Sequence, residues 1–348
     1  MPRKLIVCFD GTWNTPDRGD DLDKRVETNA RRFYSSVRDG RSGASDQIKW
    51  YAEGPGGRWY RRIPGLFGIG LSRTIRKGYA FLARNYQDGD EIYVLGFSRG
   101  AYAARSLVGL LRTCGLIHRY EKRRVLNAYE IYRTRGQGPD SEMAQAFREH
   151  YARCVRVAFV GVWDTVGALG IPLRSFEIFN RGFYEFHDTE LSGMVDHAYH
   201  AMAIDEHRLE YDVTLWDPIK KPKQEVEQRW FVGAHADVGG GYRDRRLSDI
   251  TLKWMQEKAQ ACGLALDPDC IPTITEENVL APVRDSFWEF LFGIYRHFSR
   301  RYYRTISETV FGNEVLDDTV YRRLARDQGY RPKNPGLSED EWEEGLIN

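Results

Sequence analysis

Long apolar stretches are absent from the 348 residues. A membrane-spanning helix needs about 20 consecutive apolar residues, so no transmembrane segment is expected. Met1 to Lys4 leads straight into a short apolar run, without the longer apolar segment and small-residue cleavage site of a secretory signal. This predicts a cytoplasmic protein when made, with export open to a signal-independent route. Excess charge of one sign is missing too. The 51 Lys and Arg stand against 50 Asp and Glu, a formal net charge of +1, so charge gives no reason to expect nucleic acid or an anionic surface as the main partner. Cysteine is sparse and scattered: Cys8, Cys114, Cys154, Cys262 and Cys270 include no pair at zinc or redox spacing. Unpaired thiols in a reducing compartment follow. Internal repeats and low-complexity linkers are also lacking, so residues 1–348 are expected to form one domain.

Short apolar runs alternate with helix-like stretches, the pattern of a mostly parallel central sheet flanked by helices. Strands are expected over Lys4–Phe9, Ile48–Tyr51, Glu91–Phe97 and Val155–Trp163, with weaker ones over Ala198–Ile204 and Arg229–Gly233. Helices are expected over Thr28–Arg38, Leu71–Tyr86, Arg99–Arg112, Arg123–Tyr132, Ser141–Arg153 and Leu247–Ala261. The helical stretch of about 115–152 reads as an insertion, and the polar, turn-rich tail beyond Pro332 is expected on the surface.

Gly96-Phe97-Ser98-Arg99-Gly100 matches G-x-S-x-G. This motif lifts a serine hydroxyl above the sheet edge on a sharp strand-to-helix turn, and its glycines let neighbouring backbone approach. The apolar strand before it and the Ala- and Leu-rich helix after it supply that context, which makes Ser98 the candidate nucleophile.

A serine near neutral pH needs a base, and the base needs an orienting acid. Asp164 ends the most apolar strand and His235 follows another, in the order Ser, Asp, His that this fold uses. The alternatives are an Asp164 that merely caps a turn and a His235 held by backbone in a tight loop. Asp237 is a rival acid but reads better as an anchor for the loop Val238–Tyr242. His187, His197, His200 and His207 are rival bases without so clear a strand before them. Asp196-His197-x-x-His200 invites a metal reading, but no further ligand pair accompanies it. Neither a metal nor an organic cofactor is expected.

Acyl transfer also needs two backbone N–H groups aimed at the developing oxyanion. One falls to Arg99, after the nucleophile, and the other to the turn Asp10-Gly11-Thr12, with Gly11 and Thr12 as candidates. Asp10 prompts a competing reading, since Phe9-Asp10-Gly11-Thr12 looks like the aspartyl loop of haloacid-dehalogenase-type phosphatases. Thr12 stands where that chemistry wants a second acid, and Ser98 and His235 would then have no role.

Several stretches together resemble the catalytic domain of type VI secretion phospholipase effectors and their bacterial and fungal relatives. They are Phe9-Asp10-Gly11-Thr12-Trp13-Asn14, Gly96-Phe97-Ser98-Arg99-Gly100-Ala101, Val162-Trp163-Asp164-Thr165-Val166-Gly167, Ala203-Ile204-Asp205-Glu206 with Arg208, and His235-Ala236-Asp237-Val238-Gly239-Gly240-Gly241-Tyr242. The resemblance implies an α/β-hydrolase fold, a triad on Ser98, Asp164 and His235, and esterase or phospholipase A activity. Those effectors carry large further segments for membrane engagement or delivery, whereas here residues 243–348 follow the last shared motif. Ester hydrolysis is thus the firmer implication, and lipid the finer one.

Phe287, Leu291, Ile294, Tyr295, Phe298 and Tyr302 share a helical face, flanked by Arg296, Arg300, Arg301 and Arg304. A helical stripe this wide within about 281–311 reads first as ordinary core packing, with a lid over an acyl pocket or a helix meeting a membrane surface as the alternative. The expected function is carboxylic-ester hydrolysis through an acyl-enzyme, and the alternative is a non-catalytic binding protein on a hydrolase scaffold.

Overall fold

Strand β1 (Lys4–Phe9) is buried along nearly its whole length, as befits a strand inside a parallel sheet covered on both faces. Leu5, Val7 and Phe9 enter one apolar core and Ile6 and Cys8 a second, because successive side chains of a strand alternate between faces. The computed structural model describes residues 2–11, 26–40, 46–54, 65–134, 136–167, 191–217, 223–290, 295–297, 299–306 and 313–337.

Six more strands join β1. They are β2 (Gln47–Ala52), β3 (Glu91–Phe97), β6 (Val157–Trp163), β7 (Val195–Ala203), β8 (Glu225–Phe231) and β9 (Glu314–Leu316). Their order is β2-β1-β3-β6-β7-β8-β9, and each pairing is parallel. Strands β4 (Leu116–Ile117) and β5 (Ala152–Arg153) form a separate antiparallel ribbon. All the carboxyl ends of the large sheet therefore meet along one edge. In register, Phe9 lies beside Gly96, Phe97 beside Trp163, Trp163 beside Ala201, and Ala203 beside Phe231.

Helices α2 (Gly65–Asn85), α3 (Arg99–Cys114), α4 (Lys122–Arg133) and α5 (Glu142–Tyr151) build the layer on one face. On the other face lie α1 (Asn29–Ser36), then α7 (Arg246–Ala261) and α10 (Asp318–Arg326), with the short α8 (Glu276–Val279) packed against the last two. Thr28 caps α1 by accepting from the Arg31 amide, and Gly115 ends α3 at φ 67°, a backbone conformation in which glycine has no side chain to clash. The chain is thus α/β, of the α/β-hydrolase class, with a parallel central sheet flanked by helices. Among the described residues no helix is long and apolar enough to cross a membrane.

The helices of 115–152 lie along the carboxyl-terminal half of α3, at the far end from Ser98. The Tyr132 ring covers Gly109, and Arg148 Nη1 donates to the Thr113 carbonyl at 2.5 Å. They thicken the flank of the sheet, whereas Arg284 and Arg304 lie near its carboxyl edge, against Asp237 and Asp164.

Two expectations are corrected. The aromatic stretch beyond Phe287 is not one helix. Helix α9 (Ser286–Glu289) stops at Phe290, whose ψ is 133°, and a separate 3₁₀ turn follows at Tyr295–His297. Phe287 and Phe290 both pack edge-on against Tyr295, at 5.4 and 5.2 Å, so these rings cluster together instead of lining one helix axis. Arg301 pairs with Asp285. Leu291, Phe292, Ile294, Phe298 and residues 307–311 lie outside the described residues. The tail, in turn, is not wholly superficial. Asn334 is buried and its Nδ2 donates to the carbonyls of Ile204 and Arg304, at 3.1 and 3.0 Å. Its polarity serves carbonyl groups at the sheet edge that would otherwise be buried without partners. Strand β9 is not marked clearly in the local sequence pattern, whereas α10 carries an Asp317 cap and basic residues in its last turn.

Candidate active site

Ser98 occupies the single residue between β3 and α3, at φ 58° and ψ −122°. A non-glycine residue held there costs about 1–3 kcal/mol, and its surroundings hold it in place. Its amide donates to the Trp163 carbonyl at 3.0 Å. The two motif glycines owe their identity to close approach. A Cβ on Gly96 would lie 2.4 Å from the Gly100 carbonyl oxygen, and one on Gly100 would lie 2.3 Å from that of Phe9. Any side chain at either position would push the helix off the sheet.

The parallel register brings the segments after β6 and β8 to this turn. Asp164 follows β6 at φ 40° and is fully buried. His235 opens the short helix α6 (His235–Gly239) just beyond β8. His235 Nε2 lies 2.8 Å from Ser98 Oγ, and Nδ1 lies 2.6 Å from Asp164 Oδ2. The Phe97 ring tilts against the imidazole at 4.7 Å and the Tyr211 ring meets it edge-on at 5.2 Å.

Burial pushes the His235 imidazolium toward deprotonation, against the pull of Asp164. Burial also disfavours the Asp164 carboxylate, but the Arg304 guanidinium and His235 outweigh it and hold the group well below the usual carboxylate range. The ring is thus neutral near pH 7. With Nδ1–H donated to a carboxylate, its lone pair sits at Nε2 and faces the serine hydroxyl.

A second buried carboxylate, Glu206, accepts from the His235 amide at 3.3 Å and from Ser286 Oγ at 3.0 Å. Arg208 holds it through Nε and Nη2, at 2.8 and 2.7 Å, and keeps it ionised despite burial, down to about 2. The Arg208 guanidinium lies on the Tyr211 ring at 3.6 Å. Glu206 and Arg208 belong to stretches that carry the family resemblance. Arg304, by contrast, reads in the sequence as a flanking cation of an aromatic helix, and no local signal ties it to Asp164.

The remaining expected residues divide. Asp237 Oδ2 accepts from the amides of Ala234 and Arg284, at 3.0 and 3.1 Å, and makes no bond to the imidazole. It anchors the loop, and burial pushes it up to about 7. Arg99 opens α3, where the first N–H groups point out along the helix axis. Gly11 lies against Ser98, with a built Cβ 3.3 Å from the serine Cβ. Its N–H, however, donates to Asp10 Oδ1 at 2.7 Å instead of facing the serine hydroxyl. Thr12 lies outside the described residues. Asp10 accepts from Gly11, from Thr28 Oγ1 at 2.7 Å and from the Tyr51 hydroxyl. Both its oxygens are engaged, which argues against a nucleophilic aspartate.

The histidines of β7 have different partners. His197 lies 3.4 Å from Glu225, while His200 is buried and accepts the Thr165 amide at 3.0 Å. Among the described residues no three metal-ligating side chains cluster. Burial, then Arg105, pushes the His200 pKa down to about 3 from the usual 6.5. The unfolded chain takes up this proton below pH 6.5 and the folded chain does not. Stability should therefore fall as pH drops from 6.5 toward 3, by about 1.4 kcal/mol per unit. Urea midpoints measured against pH test this. His235 shares the window, so His200→Gln should flatten the slope in part, and an unchanged slope would clear His200 of the effect.

The model of the family described as T6SS, phospholipase effector Tle1-like, catalytic domain, matches residues 3–258. An uncharacterized protein of Saccharomyces cerevisiae, YEL023C, is 28% identical over 242 residues, covering 62% of this chain and 33% of its own length. The chain thus spans about one third of the curated relative it matches. The structure of the Tle1 effector bound to the VgrG spike of the type 6 secretion system aligns with 98% of this chain and 82% of its own, at TM-score 0.46 and 15% identity. An uncharacterized protein from Pseudomonas aeruginosa aligns with 99% and 62%, at TM-score 0.41 and 15% identity. With residues 3–258 matched, the chain belongs to the family of Tle1-like phospholipase effector catalytic domains.

Proposed function

We propose that the protein is a serine hydrolase that cleaves carboxylic esters, lipid acyl esters of the phospholipase A type foremost, through an acyl-enzyme on Ser98. One observation carries this reading: the continuous contact from Ser98 Oγ through His235 to Asp164, at 2.8 and 2.6 Å, on a strained strand-to-helix turn. Ser98 Oγ attacks the acyl carbonyl while His235 Nε2 takes its proton. The tetrahedral intermediate then expels the alcohol, which takes that proton from the imidazolium, and the acyl group remains on Ser98. Water attacks the acyl-enzyme with His235 again as base, and the carboxylic acid leaves as Ser98 recovers its proton. Asp164 orients the imidazole and balances its charge.

The Arg99 N–H is assigned as the main oxyanion donor, with the turn of Gly11 and Thr12 supplying the second. Gly11 serves only when its N–H turns from Asp10 toward the substrate. The Tyr211 and Phe290 rings, 6.1 Å apart, offer an apolar wall near His235, and residues 281–311 are assigned as its cover. Family membership supports a lipid ester as the substrate class.

A fluorophosphonate probe tests the chemistry. The folded protein should acquire one adduct on the Ser98 peptide, absent after unfolding and absent in Ser98→Ala. No adduct on folded protein would leave a binding protein on a hydrolase scaffold. Fatty-acid release from phospholipid vesicles, set beside p-nitrophenyl ester turnover, tests the substrate. Turnover of the short esters alone would remove the lipid assignment.

A further inference from the structure

We infer that Arg304 is a positioning residue of the reaction centre, whose guanidinium grips both carboxylate oxygens of Asp164 and fixes which of them faces His235. The inference rests on the reading of Ser98, His235 and Asp164 given above. It extends the working site beyond the family-matched residues 3–258.

Arg304 is only 1% exposed. Its Nη1 donates to Asp164 Oδ1 at 2.6 Å and its Nη2 to Oδ2 at 3.0 Å. A planar fork of this kind holds a carboxylate at two points, which an ammonium cannot do. The same nitrogens reach the carbonyls of Ala203 and Tyr211, at 2.8 and 2.5 Å, so the guanidinium is itself aligned by backbone. Oδ1 takes a further bond from the Ala203 amide at 2.9 Å. Oδ1 is thereby occupied, and Oδ2 faces His235 Nδ1. Rotation of the carboxylate would break three of these contacts together.

The segment carrying Arg304 is fastened on both sides. The Tyr302 amide donates to the His207 carbonyl at 3.0 Å, and the Ile306 amide to that of Pro335 at 2.9 Å. Asn334 Nδ2 donates to the Arg304 carbonyl at 3.0 Å. The polar tail thus acts as a clamp on the residue that orients the triad acid.

Arg304 also neutralises the charge of Asp164. The charged groups around His235 are then Asp164 with Arg304 and Glu206 with Arg208, two compensated pairs, and Asp237 lies on its own helix. The imidazolium formed during reaction gains less from such a pair than from a lone carboxylate. Removing the cation should make His235 more basic.

Two variants and two readouts separate this role from a merely structural one. Arg304→Lys keeps the charge and loses the fork. It should lower kcat by about 100-fold, the effect of a small misplacement of a catalytic group, with KM and the acid limb of kcat/KM unchanged. Arg304→Gln loses both, and should also shift that limb upward by about one pH unit. Independently of turnover, the low-field Nδ1 proton of His235 should be visible by NMR in the parent protein. It should be lost or broadened in Arg304→Lys, which retains the charge and so the fold. Parent-like kcat together with an unchanged Nδ1 resonance in folded Arg304→Lys would overturn the inference. Failure of the parent to react with a fluorophosphonate would overturn the hydrolase reading instead, while the NMR signature still reports on the Arg304–Asp164–His235 geometry.

Discussion

Replacing Ser98 by alanine should lower kcat by about 10⁶-fold, the cost of removing the proposed nucleophile from a unit it forms with its base. The fold should survive. Alanine keeps the Cβ that rests against Gly11 and removes only Oγ, whose contact is His235 Nε2 at 2.8 Å. It inherits the same φ of 58°, so the backbone cost of the turn is paid equally by both residues. Turnover of the parent's best ester and the thermal midpoint are the two measurements. Residual activity near one hundredth of the parent would point to another nucleophile.

Asp164→Asn should strike both activity and stability. Asparagine offers the imidazole an amide where a carboxylate accepted its Nδ1 proton, which favours the wrong tautomer and costs about 10⁴-fold in kcat. It also leaves Arg304, 1% exposed, without its countercharge. Breaking one side of a buried ion pair costs about 3–5 kcal/mol. The sign with pH follows from the depressed Asp164 pKa. The ion pair stabilises fully above the carboxyl's unfolded pKa, and its contribution declines as pH falls toward the folded value. The variant should therefore lose most at neutral pH. Adding Arg304→Gln to Asp164→Asn should recover much of the stability and none of the activity, because the two sites are coupled. Denaturant midpoints for the two single variants and the double variant test this. Simple additivity would mean that the pair carries little of the fold.

The strands and helices nearest Ser98 are legible in the sequence because their signals are local. The apolar run Ile92–Leu95, the small residues Ala101, Ala103 and Ala104, and the glycines at 96 and 100 act over a few residues each. Their structural counterparts are β3, α3 and two close backbone approaches. The aromatic stretch after Phe287 misled for the opposite reason. Its helical spacing is real, but Phe287 and Tyr295 are buried against each other, edge to face, after the helix has ended at Phe290, and spacing alone does not report which neighbour a ring meets. Strand β9 is only three residues long, with one of them exposed, and so carries almost no pattern.

By itself, the sequence determined the strand–serine–helix turn and the order in which Asp164 and His235 follow it. Backbone sterics and side-chain periodicity set such features within a few residues. Tertiary structure alone decided how these groups are served. It turned the Gly11 amide to Asp10, gave buried His200 an amide to accept, and set Arg304 on Asp164 from 140 residues away. Those choices depend on which groups must be charged or hydrogen-bonded once water is excluded, and that is settled only when the sheet edges and the tail have closed around them.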